Sequence, residues 1–253
     1  MSKKKASRRK DEIKFLGEAL SHNGTAKRNG PKPKTWSKHN LKTIKPLTPS
    51  QEDLFHAFYN SDHICAHGTA GTGKTYIAFY LSLAEILNPK TPQNRIIVVR
   101  SVVPTRDIGF LPGDLNEKIA VYETPYKDIC AELIGRPSSY EDMKEAGLIQ
   151  FMPTSFVRGL TWDDAIVIVD ECQNMNFHEI NSIVTRLGQN SRIIFTGDTG
   201  QTDLRPIECG MDQLLKVANN VQTFAMIEFN HNDIVRSEIV KSWIIAAEEV
   251  SAA

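Results

Sequence analysis

From Pro46 onward, apolar positions alternate between two rhythms. Short continuous apolar runs at 64–66, 95–100, 148–152, 165–169, 192–196 and 223–229 predict strands. Between them, apolar residues recur at helical spacing. Segment 51–59 places Leu54, Phe55 and Phe58 on one side. Segment 74–87 repeats Ile77, Leu81 and Ala84 and stops at Asn88-Pro89. Segments 115–133, 179–187, 211–218 and 234–248 read as further helices, with Pro125 expected to break or kink the first of these. Strands that are apolar throughout are covered on both faces, and their alternation with helices implies a mostly parallel α/β sheet with helices on both faces. Ligands of such sheets bind outside the carboxyl ends of the strands, which locates the chemistry before any motif is consulted.

Composition changes the picture only at the N-terminus. The 253 residues carry 30 Lys+Arg and 30 Asp+Glu. This balance hides a split: residues 1–45 hold 14 basic against 3 acidic residues, so residues 46–253 are net acidic by 11. The first segment lacks sustained apolar periodicity and contains Gly24, Gly30, Pro31 and Pro33. It is therefore expected to be largely disordered, apart from a short helix around 11–20, with the folded domain spanning 46–253. Two readings of the tail stand side by side. It contacts nucleic acid or another anionic surface, or it is a solvated, solubilising tail or an arm that docks on the chain's own acidic domain. No apolar run approaches the roughly 18 residues of a membrane span, and no apolar stretch follows the basic start, so a cytoplasmic protein without a membrane partner is expected. Cys65, Cys130, Cys172 and Cys209 form no CxxC pair and read as reduced structural thiols. His63, His67, His178 and His231 show no metal-ligand spacing.

The first chemical signal is Gly68-Thr69-Ala70-Gly71-Thr72-Gly73-Lys74-Thr75, a full match to G-x-x-x-x-G-K-[ST]. It follows an apolar strand and opens an amphipathic helix, the context this phosphate-binding loop requires. Its glycines let backbone N–H groups converge on phosphate oxygens, and the helix N-terminus adds a favourable dipole. Lys74 can reach the β- and γ-phosphates, and Thr75 can offer its hydroxyl to Mg²⁺.

The second signal is Ile166-Val167-Ile168-Val169-Asp170-Glu171, a buried-type strand ending in two carboxylates. Beside a P-loop, Asp170 is assigned to the Mg²⁺ shell and Glu171 to the attacking water. A helix-capping pair is the alternative. The third signal, Thr196-Gly197-Asp198-Thr199-Gly200-Gln201, lies at the same sheet edge, where Gln201 can sense the γ-phosphate or position water; a plain Gly-Asp turn is the alternative. ATP with Mg²⁺ is the expected ligand pair. No Asn-Lys-x-Asp guanine reader is present.

In combination and order these motifs resemble superfamily 1 helicase-type ATPases and, more closely, the PhoH family. The resemblance covers about residues 46–245 and includes Leu47-Thr48-Pro49-Ser50-Gln51, Val99-Arg100-Ser101-Val102-Val103-Pro104, Gly109-Phe110-Leu111-Pro112-Gly113-Asp114, Arg158-Gly159-x-Thr161, Asp170-Glu171-x-Gln173-Asn174 and Asp233-Ile234-Val235-Arg236. The compact chain is similar to the small PhoH-like proteins of bacteriophage, for which the host cytoplasm is the expected location. The resemblance implies a single RecA-like domain. It also implies that Gln51 reads the adenine edge, Gln201 couples the γ-phosphate to nucleic acid, and Arg236 stabilises the transferring phosphate; a surface ion pair is the plainer reading of Arg236. Arg100 and Arg158 are candidate nucleic-acid contacts, against a structural or phosphate-positioning role, and Ser50 and Asp233 could simply cap helices. Two departures stand out: Leu160 where the family has a second basic residue, and Cys172 where it has Ala.

Superfamily 1 helicases close their site between two domains, and this chain has room for one. The expectation is a homo-oligomer, hexameric by the family resemblance, with Arg236 facing a neighbour's nucleotide. Three function classes follow: a nucleic-acid-dependent ATPase or helicase-like remodeller of RNA or single-stranded DNA, an ATP-dependent assembly switch without strand separation, and a phosphotransferase. The Asp170-Glu171 pair and Gln201 favour the first two.

Overall fold

A computed structural model describes residues 36–102, 115–198 and 209–252. The described elements are strands β1 (His63–Gly68), β2 (Arg95–Arg100), β3 (Ile149–Pro153), β4 (Ala165–Asp170), β5 (Arg192–Gly197) and β6 (Phe224–Phe229). They alternate with helices α1 (Pro49–Asn60), α2 (Lys74–Ile86), α3 (Leu115–Ile134), α4 (Ser139–Glu145), α5 (Phe177–Val184), α6 (Met211–Asn220) and α7 (Glu238–Ala252). The strands form one parallel sheet in the order β3-β2-β4-β5-β1-β6. This is the α/β architecture the apolar runs predict.

The pleat sorts each strand between two cores. Ile64, Ile96, Val98, Ile166, Ile168 and Ile194 face α1, α2, α3 and α4. Ile97, Val99, Val167, Val169, Ile193 and Phe195 face α5 and α6. Every residue of β4 is buried, which is why that strand reads as apolar without alternation. Each buried Ile or Val of the strand contributes about 1.5–3 kcal/mol through burial. The strand register then aligns the chemistry. His67 pairs with Gly197, Gly68 with Phe229, and Arg100 with Asp170. One sheet edge thus gathers the ends of β1, β2, β4, β5 and β6.

The structure adds local detail to these expectations. α3 continues through Pro125, so of the expected break or kink the break does not occur. The carbonyl that a proline leaves without its helical donor is that of Val121, an exposed residue open to water, and Tyr126, Cys130 and Leu133 anchor the following turns in the core. α4, only 7 residues long, carries too few turns to show a period. α7 begins at Glu238, not at 234, because Asn230 caps a 3-10 turn over His231–Asp233 and Val235 N–H is committed to the Gly71 carbonyl. Finally, the residues from Trp36 to Lys45 belong to the same compact unit as the sheet. Trp36, Leu41 and Ile44 pack against the core, Lys42 N–H donates to the Leu133 carbonyl at 2.7 Å, and the Arg136 guanidinium lies 4.6 Å from the Trp36 ring. Three apolar residues so irregularly spaced leave no periodic signal. The expectation for the rest of the basic segment lies outside the described residues. Among the described residues no helix is long and apolar enough to cross a membrane.

Candidate nucleotide site

β1 ends at Gly68, whose φ of +115° and neighbours both demand glycine. A Cβ there would sit 2.0 Å from the Phe229 carbonyl oxygen, the same atom that accepts from Thr69 N–H at 3.0 Å. β6 therefore presses directly on the start of the loop. The loop ends at Gly73, left-handed with φ 84°, as the N-cap of α2. Lys74 is buried inside the curl. Its Nζ donates to the carbonyls of Gly68 at 2.9 Å and Thr69 at 2.7 Å and to Thr72 Oγ1 at 3.3 Å. Burial pulls the Lys74 ammonium below its ordinary pKa, while Asp198, Glu171 and Asp170 act to hold its charge.

Asp170, at the end of β4, is 3% exposed, and three hydroxyls satisfy it. Oδ1 accepts from Thr75 and from Thr196, each at 2.7 Å, and Oδ2 accepts from Tyr126 at 2.6 Å. The next residue, Glu171, has a left-handed backbone with φ 52°. A non-glycine residue held there costs on the order of 1–3 kcal/mol and turns its carboxylate out of the strand direction. Gln173 fixes that carboxylate: its Nε2 donates to Glu171 Oε2 at 2.5 Å, while its Oε1 accepts from Asp198 N–H at 3.0 Å. Burial first, then the charge of Asp170, raise Glu171 above the ordinary carboxylate pKa, with Gln173 and Arg100 opposing.

A third layer supports the loop from behind. Gln51 is buried, its Oε1 accepting from Leu47 N–H at 2.8 Å and its Nε2 donating to the Thr72 carbonyl at 2.9 Å. Ser50 Oγ donates to Asp233 Oδ2 at 2.8 Å. Asp233 also accepts from Asn230 N–H at 3.0 Å, and Val235 N–H donates to the Gly71 carbonyl at 3.1 Å. The segments 47–51 and 233–236, remote in sequence, thus clamp the P-loop together. Ser50 is not a cap, because Thr48 takes that role for α1; Asp233 serves both as part of a capping box and as the tie to α1.

These groups surround a cavity of about 580 Å³, within the roughly 300–1,000 Å³ of small-molecule sites. It is lined by the P-loop from Ala70 to Thr75, by Arg100, Asp170, Glu171, Gln173, Thr196, Gly197, Asp198 and Arg236, and by a wall of Tyr76, Pro125, Asp128, Ile129 and Glu132. The donor set fits Mg²⁺ and a triphosphate. Oxygens of Thr75 and Asp170 meet at the mouth of a glycine-rich curl that holds a buried ammonium, and hard divalent cations take oxygen ligands.

The structure brings together Gly68, Thr69, Ala70, Gly71, Thr72, Gly73, Lys74, Thr75, Asp170 and Glu171, as the motifs imply. Further candidates are placed by the structure. Gln51 is not among the residues lining the cavity, and its amide is engaged at both ends in holding the loop. Arg236 lines the cavity of its own chain, with its Cγ 3.1 Å from where a Cβ on Gly71 would stand. Because α7 starts at Glu238, Arg236 is not on a helix surface. Arg100 lies inside the nucleotide cavity rather than on a separate nucleic-acid face. Its guanidinium is 5.9 Å from the Tyr122 ring; burial opposes its charge, but Tyr126, Asp170 and Glu171 together raise its pKa. Arg158 is exposed, outside the cavity lining, and 3.1 Å from His178 Nε2. Gln201 lies outside the described residues, as does 103–114. Sequence reasoning missed Tyr126, which sits mid-helix with no local signal, and the bond to Asp170 made by Thr196, the first residue of the third motif.

Comparison with known proteins agrees with the motifs. The family model described as PhoH-like protein matches residues 43–248. The PhoH-like protein of Bacillus subtilis (strain 168) is 34% identical over 210 residues, covering 82% of this chain and 65% of the relative. Protein PhoH of Escherichia coli (strain K12) is 33% identical over 200 residues, covering 77% of this chain and 56% of the relative. The chain therefore spans less than two-thirds of the length of these relatives. Among solved structures, the HK97 bacteriophage large terminase aligns with a TM-score of 0.53 at 13% identity, over 87% of this chain and 50% of that one, which is a likeness of fold. With a complete P-loop, an Asp170 hydrogen-bonded to its Thr75 and followed by Glu171, and a family match over most of its length, the chain belongs to the PhoH-like family of P-loop NTPases.

Proposed function

We propose that this protein hydrolyses ATP with Mg²⁺, and that contact with RNA or single-stranded DNA drives its turnover. The observation that carries the reading is the Thr75–Asp170–Thr196 hydroxyl–carboxylate cluster, with Glu171 turned out beside it and tied to Asp198 through Gln173. In this reading Lys74 leaves its own carbonyls for the β- and γ-phosphate oxygens. Thr75 and Asp170 would hold the metal, which would supply charge neutralisation at the phosphates. Glu171 orients the attacking water and receives its proton. Arg236 and Arg100, both at the cavity, stabilise charge on the transferring phosphoryl group. The Gln173–Asp198 link leads from Glu171 into the segment that carries Gln201, a route by which bound nucleic acid is coupled to chemistry. The basic excess of residues 1–45 and the exposed Arg158 support the nucleic-acid part of the reading. The test is phosphate release from ATP by the purified protein, with and without single-stranded RNA and DNA and with a Lys74→Ala control. Stimulation abolished by Lys74→Ala supports the reading, and hydrolysis indifferent to nucleic acid removes its second half.

One observation favours a second reading, an ATP-dependent assembly switch. α7 exposes Ile239, Trp243 and Val250 at 73%, 74% and 78%, on a helix whose Ile244 packs at Gly71 of the P-loop. An apolar stripe of this kind marks an interaction surface. A homo-oligomer, hexameric in this proposal, whose population changes with nucleotide but not with nucleic acid, measured by light scattering, would favour the switch.

A further inference from the structure

We propose that Tyr126 is the positioning residue of the metal-binding carboxylate, so that α3, an element outside every recognised motif, sets how tightly this site holds Mg²⁺. The inference rests on the reading of Asp170 as a carboxylate of the metal shell.

The argument begins with the carboxylate's partners. Asp170 is 3% exposed, so protein donors rather than bulk solvent dominate its orientation. Thr75 is shared: its hydroxyl donates to Asp170 Oδ1 at 2.7 Å, and the same hydroxyl is the one a P-loop offers to the metal. Two donors then remain, one on each oxygen. Thr196 from β5 holds Oδ1 at 2.7 Å, and Tyr126 from α3 holds Oδ2 at 2.6 Å. Together they fix the rotation of the carboxylate plane, which neither does alone. Outer hydrogen bonds of this kind orient a ligand and tune its metal affinity.

Tyr126 is itself held on all sides. It is fully buried, and its ring stacks on Phe79 with centroids 5.9 Å apart and leans on Phe151 at 5.9 Å. One turn earlier, Glu123 accepts from the Tyr140 hydroxyl at 3.2 Å and pairs with Lys144, which fastens α3 to α4. The residue before it, Pro125, lines the nucleotide cavity. A tyrosine needed only for packing would leave phenylalanine an adequate substitute. Here its oxygen is the partner of the one carboxylate oxygen that no other described hydrogen bond reaches.

The test is binding of a fluorescent ATP analogue to the full chain, titrated with Mg²⁺ and repeated in EDTA, for wild type and Tyr126→Phe. The expected result is metal-free affinity within about twofold of wild type and a roughly tenfold rise in the Mg²⁺ concentration for half-saturation. An unchanged Mg²⁺ half-saturation, or an equal loss of affinity with and without metal, overturns the inference and leaves a merely structural tyrosine. If Tyr126→Phe does not fold, Phe79→Leu keeps the phenol but loosens its stacking. It is expected to shift the Mg²⁺ dependence in the same direction by a smaller factor, and no shift overturns the inference. Failure of the underlying reading is recognised separately, as wild-type nucleotide binding that Mg²⁺ does not strengthen.

Discussion

The Thr75 hydroxyl donates a 2.7 Å hydrogen bond to Oδ1 of Asp170, joining the start of α2 to the end of β4 across 95 positions of sequence. The bond places the two oxygens that a P-loop site offers to a divalent cation within one hydrogen-bond length. Thr75→Val removes the hydroxyl and keeps the shape. It is expected to weaken Mg²⁺-dependent nucleotide binding by roughly 10–100-fold, measured by Mg²⁺ titration, while metal-free binding changes little.

Arg236 lines the cavity of the chain that carries it. Arg236→Ala is expected to slow hydrolysis by roughly a thousandfold. Mixing Arg236→Ala with Lys74→Ala separates the two possible origins of the arginine. If it acted on a neighbour's nucleotide, mixed assemblies would regain some intact sites. Placement in the same chain predicts no recovery at any mixing ratio in a phosphate-release assay.

Asp233 ties the segment before Arg236 to α1. Burial acts to raise its pKa, but hydrogen bonds from Asn230 N–H and from Thr48 and Ser50 hold it below the ordinary 3.8. A carboxylate depressed on folding adds stability above the unfolded pKa and loses it as pH falls through the folded one. Asp233→Asn is therefore expected to lower the melting temperature at neutral pH. The gap from wild type should close as pH drops below about 3.8, and a gap independent of pH would contradict the assignment.

Burial pushes the thiols of Cys65 and Cys130 up to about 12 and that of Cys172 well above 9.0. Cys209 is only half-buried, with its Sγ 3.3 Å from the Gln173 carbonyl oxygen. A thiol reagent at pH 8 should label Cys209 first in the native protein, with the other three reacting only on unfolding. Mass spectrometry of labelled peptides reads the order. Because Cys209 abuts Gln173, its modification is also expected to depress hydrolysis.

What was legible in the sequence was local. The strands end where apolar runs meet Gly68, Asp170 and Gly197, so the P-loop and the acidic pair could be read directly. What was hidden depends on contacts between distant segments. Tyr126 reaches Asp170 across 44 residues, from a helix whose own pattern only says that its ring is buried. Ile234 and Val235 continue an apolar rhythm that reads as helix, yet Val235 spends its N–H on Gly71, and tertiary pairing overrides the periodicity. At Gln51 the resemblance gives the position, and what it does not give is the pair of bonds to Leu47 and Thr72 by which the amide holds the loop.

The measurement that tests the central claim most directly is a single-turnover assay of Glu171→Gln beside wild type, following bound ATP and released phosphate together. Glutamine keeps the shape of Glu171 but cannot take a proton from water. Nucleotide affinity within a few-fold of wild type, with phosphate release slowed by roughly 10²–10⁴-fold so that intact ATP stays trapped, is the predicted result. Phosphate release at the wild-type rate would contradict the account.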